Sequence, residues 1–169
     1  DIQMKNANGK EDTAFTVQYD FCMPERFDLS YVGEDGGKHR AFVVHRSSIG
    51  AIERLMAFLI EHYAGAFPLW LAPVQVIILP INDTHQTYAK KVLAELGKHD
   101  IRVEINLDNE TLGKKIRAGK LQKIPYLVVI GDKEVESNKL TIETRTGKIE
   151  NISVADFITK LNEEIKNKK

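Results

Sequence analysis

The sequence predicts an α/β (α+β) chain in two parts: an antiparallel sheet closed by a helix, then a mixed-sheet α/β domain. Three patterns predict it. Asn8-Gly9 separates two alternating runs, Asp1 to Met4 and Thr13 to Phe21, which is the signature of a tight hairpin with positive φ at its central positions. The run Ala41-Phe42-Val43-Val44 leads into a stripe at helical spacing, Ile49, Ile52, Leu55, Met56, Leu59, Ile60 and Tyr63. From Val74 onward, short apolar strands alternate with helical segments bounded by turn residues.

Each element has its own justification. In Thr13 to Phe21 the residues Phe15, Val17, Tyr19 and Phe21 share one face, and Thr16, Gln18 and Asp20 share the other. Pro24 to Tyr31 reads as a loop, and Gly33 to Gly37 as a turn into the strand that ends at His45. Gly50 sits where the strand hands over to the helix, a place where a missing Cβ allows close approach. On a helical wheel Arg54 falls nearly opposite the apolar stripe, so it is expected to face away from the core. Tyr63 to Pro73 is an aromatic connector, with a boundary expected near Ala72. Val74 to Leu79 reads as a buried central strand, Asp83 to Gly97 as a helix, and Ile101 to Ile105 as a second strand. Asn109 is expected to cap a short helix burying Leu112 and Ile116. Ile124 to Ile130, Lys139 to Arg145 and a segment near Ile149 read as strands, with a turn at Gly131 to Glu134 and a last helix capped by Ser153.

Composition narrows the function. The 169 residues contain 24 Lys+Arg and 24 Asp+Glu, so any nucleic-acid site has to be a local patch rather than a global field. The single cysteine, Cys22, forbids an intrachain disulfide and fits a reducing compartment. The most apolar run, Ala64 to Leu79, is broken by Pro68 and Pro73 and is too short to span a bilayer. No signal peptide is visible, and the Asp1 start suggests a piece of a longer chain. Lys114, Lys115, Arg117, Lys120 and Lys123 form a basic cluster, readable as a solvated face or as a phosphate-binding patch, and the tail Lys166-Asn167-Lys168-Lys169 reads as a frayed helix end.

The words Pro24-Glu25-Arg26-Phe27, Ser30-Tyr31-Val32-Gly33-Glu34-Asp35, His45-Arg46 and Trp70-Leu71-Ala72-Pro73-Val74-Gln75-Val76 accompany a strand, a small-residue turn at Gly50-Ala51 and then Glu53-Arg54. That last arrangement resembles motif 3 of the class II aminoacyl-tRNA synthetases. The whole set is similar to the threonyl-tRNA synthetase family, over essentially the entire chain. The resemblance implies that residues 1–72 are the C-terminal part of a class II catalytic domain, the remnant of its antiparallel sheet with the motif 3 helix. It implies that residues 73–169 are the anticodon-binding domain shared with prolyl, glycyl and histidyl synthetases.

The same resemblance implies an ATP-dependent threonine–tRNA ligase as parent, working through threonyl-adenylate in the cytoplasm. Its cofactors would be ATP with Mg2+, and Zn2+. Its partners would be threonine, ATP and tRNA(Thr), in a homodimer, with no membrane and no DNA. Arg54 would brace ATP phosphate as the catalytic arginine, since its planar fork holds two oxygens. Ala51 and Thr16 would lie near ATP, and Gln18 would line the threonine pocket. A pocket that bonds the substrate hydroxyl rejects valine far better than an apolar slot does. His45 would be a zinc ligand, with the other two ligands, a Cys and a His, upstream of residue 1. Asn109, Arg117, Lys123 and Glu134 would contact the anticodon. Lys123 and Glu143 stand where the family often has Arg, so Glu143 is not expected to contact the anticodon. With motifs 1 and 2 absent, the 169-residue piece alone is expected not to form adenylate. The rival reading is a non-catalytic tRNA anticodon-binding module. A prolyl or glycyl synthetase would share the second part but lack the His45-Arg46 pair.

Overall fold

The computed structural model describes residues 1–168, with Glu150 by its backbone alone. The chain divides into two compact units, Asp1–His62 and Tyr63–Lys169.

In the first unit, β1 (Ile2–Lys5) pairs antiparallel with β2 (Glu11–Asp20), and β2 pairs antiparallel with β5 (Val43–Ser47). The turn between β1 and β2 is looser than the sequence suggests. Only Gly9 takes a positive φ, +77°, while the Asn6 side-chain oxygen accepts bonds from the Asn8 and Lys10 amides. The expected loop at Pro24 to Tyr31 is partly ordered. A short helix, α1 (Cys22–Arg26), starts there because the Asp20 carboxylate accepts from the Cys22 and Met23 amides, both at 2.9 Å. Pro24 sits in its first turn, where no amide is missed. β3 (Ser30–Val32) and β4 (Lys38–Arg40) then form a separate hairpin around Gly33–Gly37.

The helix α2 (Ile52–His62) follows Gly50, whose φ is +68°. A Cβ there would lie 3.0 Å from the Ala14 carbonyl oxygen, so the strand-to-helix turn requires glycine on two counts. The apolar stripes of this region are not covered as their spacing suggests. In β2, Phe15, Val17 and Tyr19 are exposed, as is Gln18 on the other face. In α2, Ile52, Met56 and Ile60 are exposed as well, while Leu55, Phe58 and Leu59 are half-buried. Arg54 is exposed, as its place on the wheel predicts, and its Nη1 reaches the Thr13 carbonyl of β2 at 3.5 Å. Periodicity locates an apolar stripe, but it does not say which element covers it.

The second unit is a five-stranded mixed sheet in the order β10-β9-β8-β6-β7. The strands are β6 (Val76–Pro80), β7 (Val103–Ile105), β8 (Tyr126–Ile130), β9 (Lys139–Thr144) and β10 (Lys148–Ser153). β6 pairs parallel with β7 and β8, and β8-β9-β10 run antiparallel in succession. The helices are α3 (Gln86–Gly97), α4 (Leu112–Leu121), α5 (Asp132–Ser137) and α6 (Val154–Lys166).

β6 is apolar at every position because both faces are covered. Val76 and Ile78 join one cluster with Val92 and Leu96 of α3 and Phe157 and Leu161 of α6. Ile77 and Leu79 join a second with Leu127, Leu112 and Ile116, under α4. α4 lies close enough that a Cβ on Gly119 would come within 2.9 Å of Leu127 Cδ2. Ser153 caps α6 by accepting from the Asp156 amide at 3.1 Å.

Three further expectations change. The connector 63–72 belongs to the second unit, ten residues before the expected division near Ala72. Leu69 is buried in its core, and Arg102 donates to the Trp70 and Ala72 carbonyls at 2.9 Å each. Thr111, not Asn109, stands at the start of α4. The expected turn at Gly131 to Glu134 opens α5, because the Glu134 carboxylate folds back onto the Gly131 amide at 2.9 Å.

Candidate functional site

The first unit carries an open groove of about 770 Å³. β2 and β5 build it by register: Gln18 faces His45 and Thr16 faces Ser47. The alternation that puts Thr16, Gln18 and Asp20 on one side of β2 delivers all three to this groove, together with His45, Arg46 and Cys22. His45 Nε2 lies 2.8 Å from Asp20 Oδ2. Asp20 thereby holds two jobs, orienting the imidazole and capping α1. The Met23 amide first, then the His45 ring, hold its carboxyl below the usual carboxylate range. The Thr16 hydroxyl is buried and has no hydrogen-bond partner among the described residues. The exposed Gln18 amide and His45 imidazole suit a small polar ligand that brings its own donors and acceptors.

Arg54 and Ala51 are both exposed, and neither lines this groove. The structure thus brings Thr16, Gln18 and His45 together and leaves the other two expected residues outside. Among the described residues no group of three His, Cys, Asp or Glu side chains could hold a metal ion. His45 with Asp20 and Cys22 therefore does not fit a zinc site by itself.

The second unit places its candidates in separate spots. Asn109 is exposed and lines a small pocket of about 110 Å³ beyond the C-terminal ends of β6 and β7. Arg117 is exposed on α4. Lys115 leaves the basic cluster altogether: it is buried, and its ammonium donates to the Pro80 carbonyl at 3.1 Å. Lys123 follows α4 with φ +57°, and its ammonium donates to the Ala64 carbonyl. Glu134 is half-buried, with one oxygen on the Gly131 amide and the other accepting from the Thr141 hydroxyl at 2.7 Å.

A cavity of about 660 Å³ lies between the end of α4 and the β9–β10 turn. Ile124 and Leu127 make its apolar floor, and Lys120, Lys123, Glu143, Arg145 and Lys148 stand around it. Glu143 pairs with Lys120 at 2.6 Å. Arg145 donates to the Lys123, Ala66 and Phe67 carbonyls, and its burial lowers its pKa. The sequence model of the anticodon binding domain matches residues 75–164, more than half of the chain. This chain belongs to the anticodon-binding-domain family.

The similarity extends beyond the matched domain. A threonine–tRNA ligase of Clostridium tetani is 50% identical over 99% of this chain, and one of Clostridium botulinum is 51% identical over the same share. The chain spans about a quarter of the length of these relatives, 26% and 27%. The crystal structure of the RNA binding domain of threonyl-tRNA synthetase from Cryptosporidium parvum matches 96% of this chain and 42% of that one, with a TM-score of 0.82 at 31% identity. A prolyl-tRNA synthetase of the same organism shares the fold over 94% of this chain and 34% of that one, with a TM-score of 0.73 at 19% identity. In the anticodon-binding domain, Asn109, Arg117, Lys123 and Glu134 all fall inside the matched range.

Asp20, Arg145 and the contact between Lys120 and Glu143 also take part, beyond the residues expected to form the sites. Asp20 was legible, since it shares a strand face with Thr16 and Gln18. Arg145 and the Lys120–Glu143 pair were not, because their meeting depends on how α4 lies against the β9–β10 turn.

Proposed function

We propose that this chain supplies the tRNA-recognising part of a threonine–tRNA ligase, an enzyme that uses ATP and Mg2+ to join threonine to tRNA(Thr) through threonyl-adenylate in the cytoplasm. One observation carries the reading. A folded anticodon-binding domain sits in a chain half identical to threonine–tRNA ligases over nearly all its length.

On this reading the exposed side chains of Asn109 and Arg117 meet the anticodon loop, Arg117 through its two-pronged donor face. Lys123 holds the 63–67 segment through the Ala64 carbonyl and supplies charge at the cavity rim. Glu134, with both oxygens engaged inside the fold, shapes the β8–α5 turn that faces the RNA. In the first unit the Thr16 hydroxyl, the Gln18 amide and the His45 ring form the polar wall for threonine. Arg54 and Ala51 serve ATP from the strand-to-helix turn, and the parent's zinc is completed by residues outside this chain. Alone, the 169-residue chain does not form adenylate, because it spans only about a quarter of the length of the ligases it resembles.

Filter binding with tRNA(Thr) and an anticodon-substituted form, run beside threonine-dependent pyrophosphate exchange, tests this. The expected result is saturable binding weakened by the anticodon change, with no exchange. Equal binding to both RNAs would overturn the recognition role. Exchange above background would overturn the claim of inactivity.

A further inference from the structure

We propose that Glu143 is a built-in counter-anion for Lys120, which an incoming RNA phosphate must displace before Lys120 can bind it. The proposal rests on the second unit binding RNA and deepens that reading by naming what limits the affinity of its cationic cavity.

The geometry carries it. Among the described residues, four cationic side chains and one carboxylate stand around the cavity. Lys123 and Arg145 direct their charged ends at neutral backbone carbonyls, which satisfy hydrogen bonds and leave the charges uncancelled. Glu143 is different. Its Oε2 lies 2.6 Å from Lys120 Nζ, a close charge-assisted contact that occupies the place of an external oxyanion. The two partners are unequal in freedom. Glu143 is fixed in β9, with Leu127 opposite it on β8 and Lys148 opposite it on β10, and its side chain is 24% exposed. Lys120 stands in the last turn of α4 on a flexible stem and is 57% exposed. The mobile cation can therefore leave the fixed anion for a phosphate, in an exchange of one anion for another. Binding then gains only the difference between two ion pairs.

The test compares the chain with Glu143→Gln, Lys120→Gln and the double variant, using inorganic tripolyphosphate and an anticodon stem-loop RNA as probes. Glu143→Thr replaces the Gln variant if circular dichroism shows that variant misfolded. Glu143→Gln should bind both probes more tightly, by roughly 1.5- to fivefold, the range one released partly exposed ion pair supplies. The double variant should lose the gain. Unchanged or weaker tripolyphosphate binding in Glu143→Gln, including no binding by any form, overturns the proposal. So does a gain that survives in the double variant, which would be a general field effect. A gain for tripolyphosphate with no RNA binding by any form would leave the exchange standing and sink the RNA-binding reading instead. RNA binding without the gain would do the reverse.

Discussion

At the scale of single residues, Glu134 shows how a side chain suited to contacting a base can be engaged elsewhere. Its carboxylate accepts from the Gly131 amide at one oxygen and from the Thr141 hydroxyl at the other, tying the start of α5 to β9. Truncation removes a helix-start bond and strands a half-buried hydroxyl. Glu134→Ala should therefore lower stability by about 1–2 kcal/mol in urea denaturation. A loss of RNA binding in that variant without a stability loss would mean that the carboxylate meets RNA directly. Lys115 is the complementary case. It reads as one more member of a basic face, yet its stem runs inward and its ammonium serves carbonyls at the end of β6. Chemical type is visible in a sequence. Whether a polar tip is already satisfied is decided by neighbours distant in the chain.

At the scale of elements, the segments with strong local signals formed where their residues direct. The β6 run, the α6 stripe with its Ser153 cap and the alternation of β2 all belong to this group. Those that failed were short: α1 and α5 hold five and six residues. A helix that short gains little from propensity and depends on an anchoring carboxylate, Asp20 for α1 and Glu134 for α5. α1 thus acquires a pH dependence of definite sign. The folded carboxyl of Asp20 is depressed, chiefly by the Met23 amide and then by His45. Its contribution is present above the ordinary aspartate range, near 3.9, and is lost as pH falls through the lowered folded value. Amide resonances of Cys22 and Met23 should titrate together, with a midpoint below that range. A midpoint at or above it would show that the cap does not form in solution.

At the scale of the whole molecule, the two units hold themselves together in different ways. The second unit has clusters on both faces of its sheet, while the apolar faces of β2 and α2 in the first stay exposed. The groove in the first unit was largely legible, because strand alternation fixes which side Thr16 and Gln18 occupy. The division between the units was not legible, since Pro68 and Pro73 punctuate a connector that reads as a boundary. What makes 63–72 part of the second unit is tertiary. Leu69 enters the core, and the buried Gln75 amide donates to the Leu69 carbonyl at 2.9 Å. Arg102 holds Trp70 and Ala72, and Arg145 reaches back to Phe67 at 2.7 Å. These contacts predict how two truncations behave. A chain of residues 63–169 should unfold in one cooperative step. A chain of residues 73–169 should be less stable by roughly 2–4 kcal/mol, from the burial of Leu69 and the bonds left open at Gln75 and Arg102. Equal urea midpoints for the two would mean that the 63–72 strap contributes nothing to the second unit, and that the domain begins at Pro73 after all.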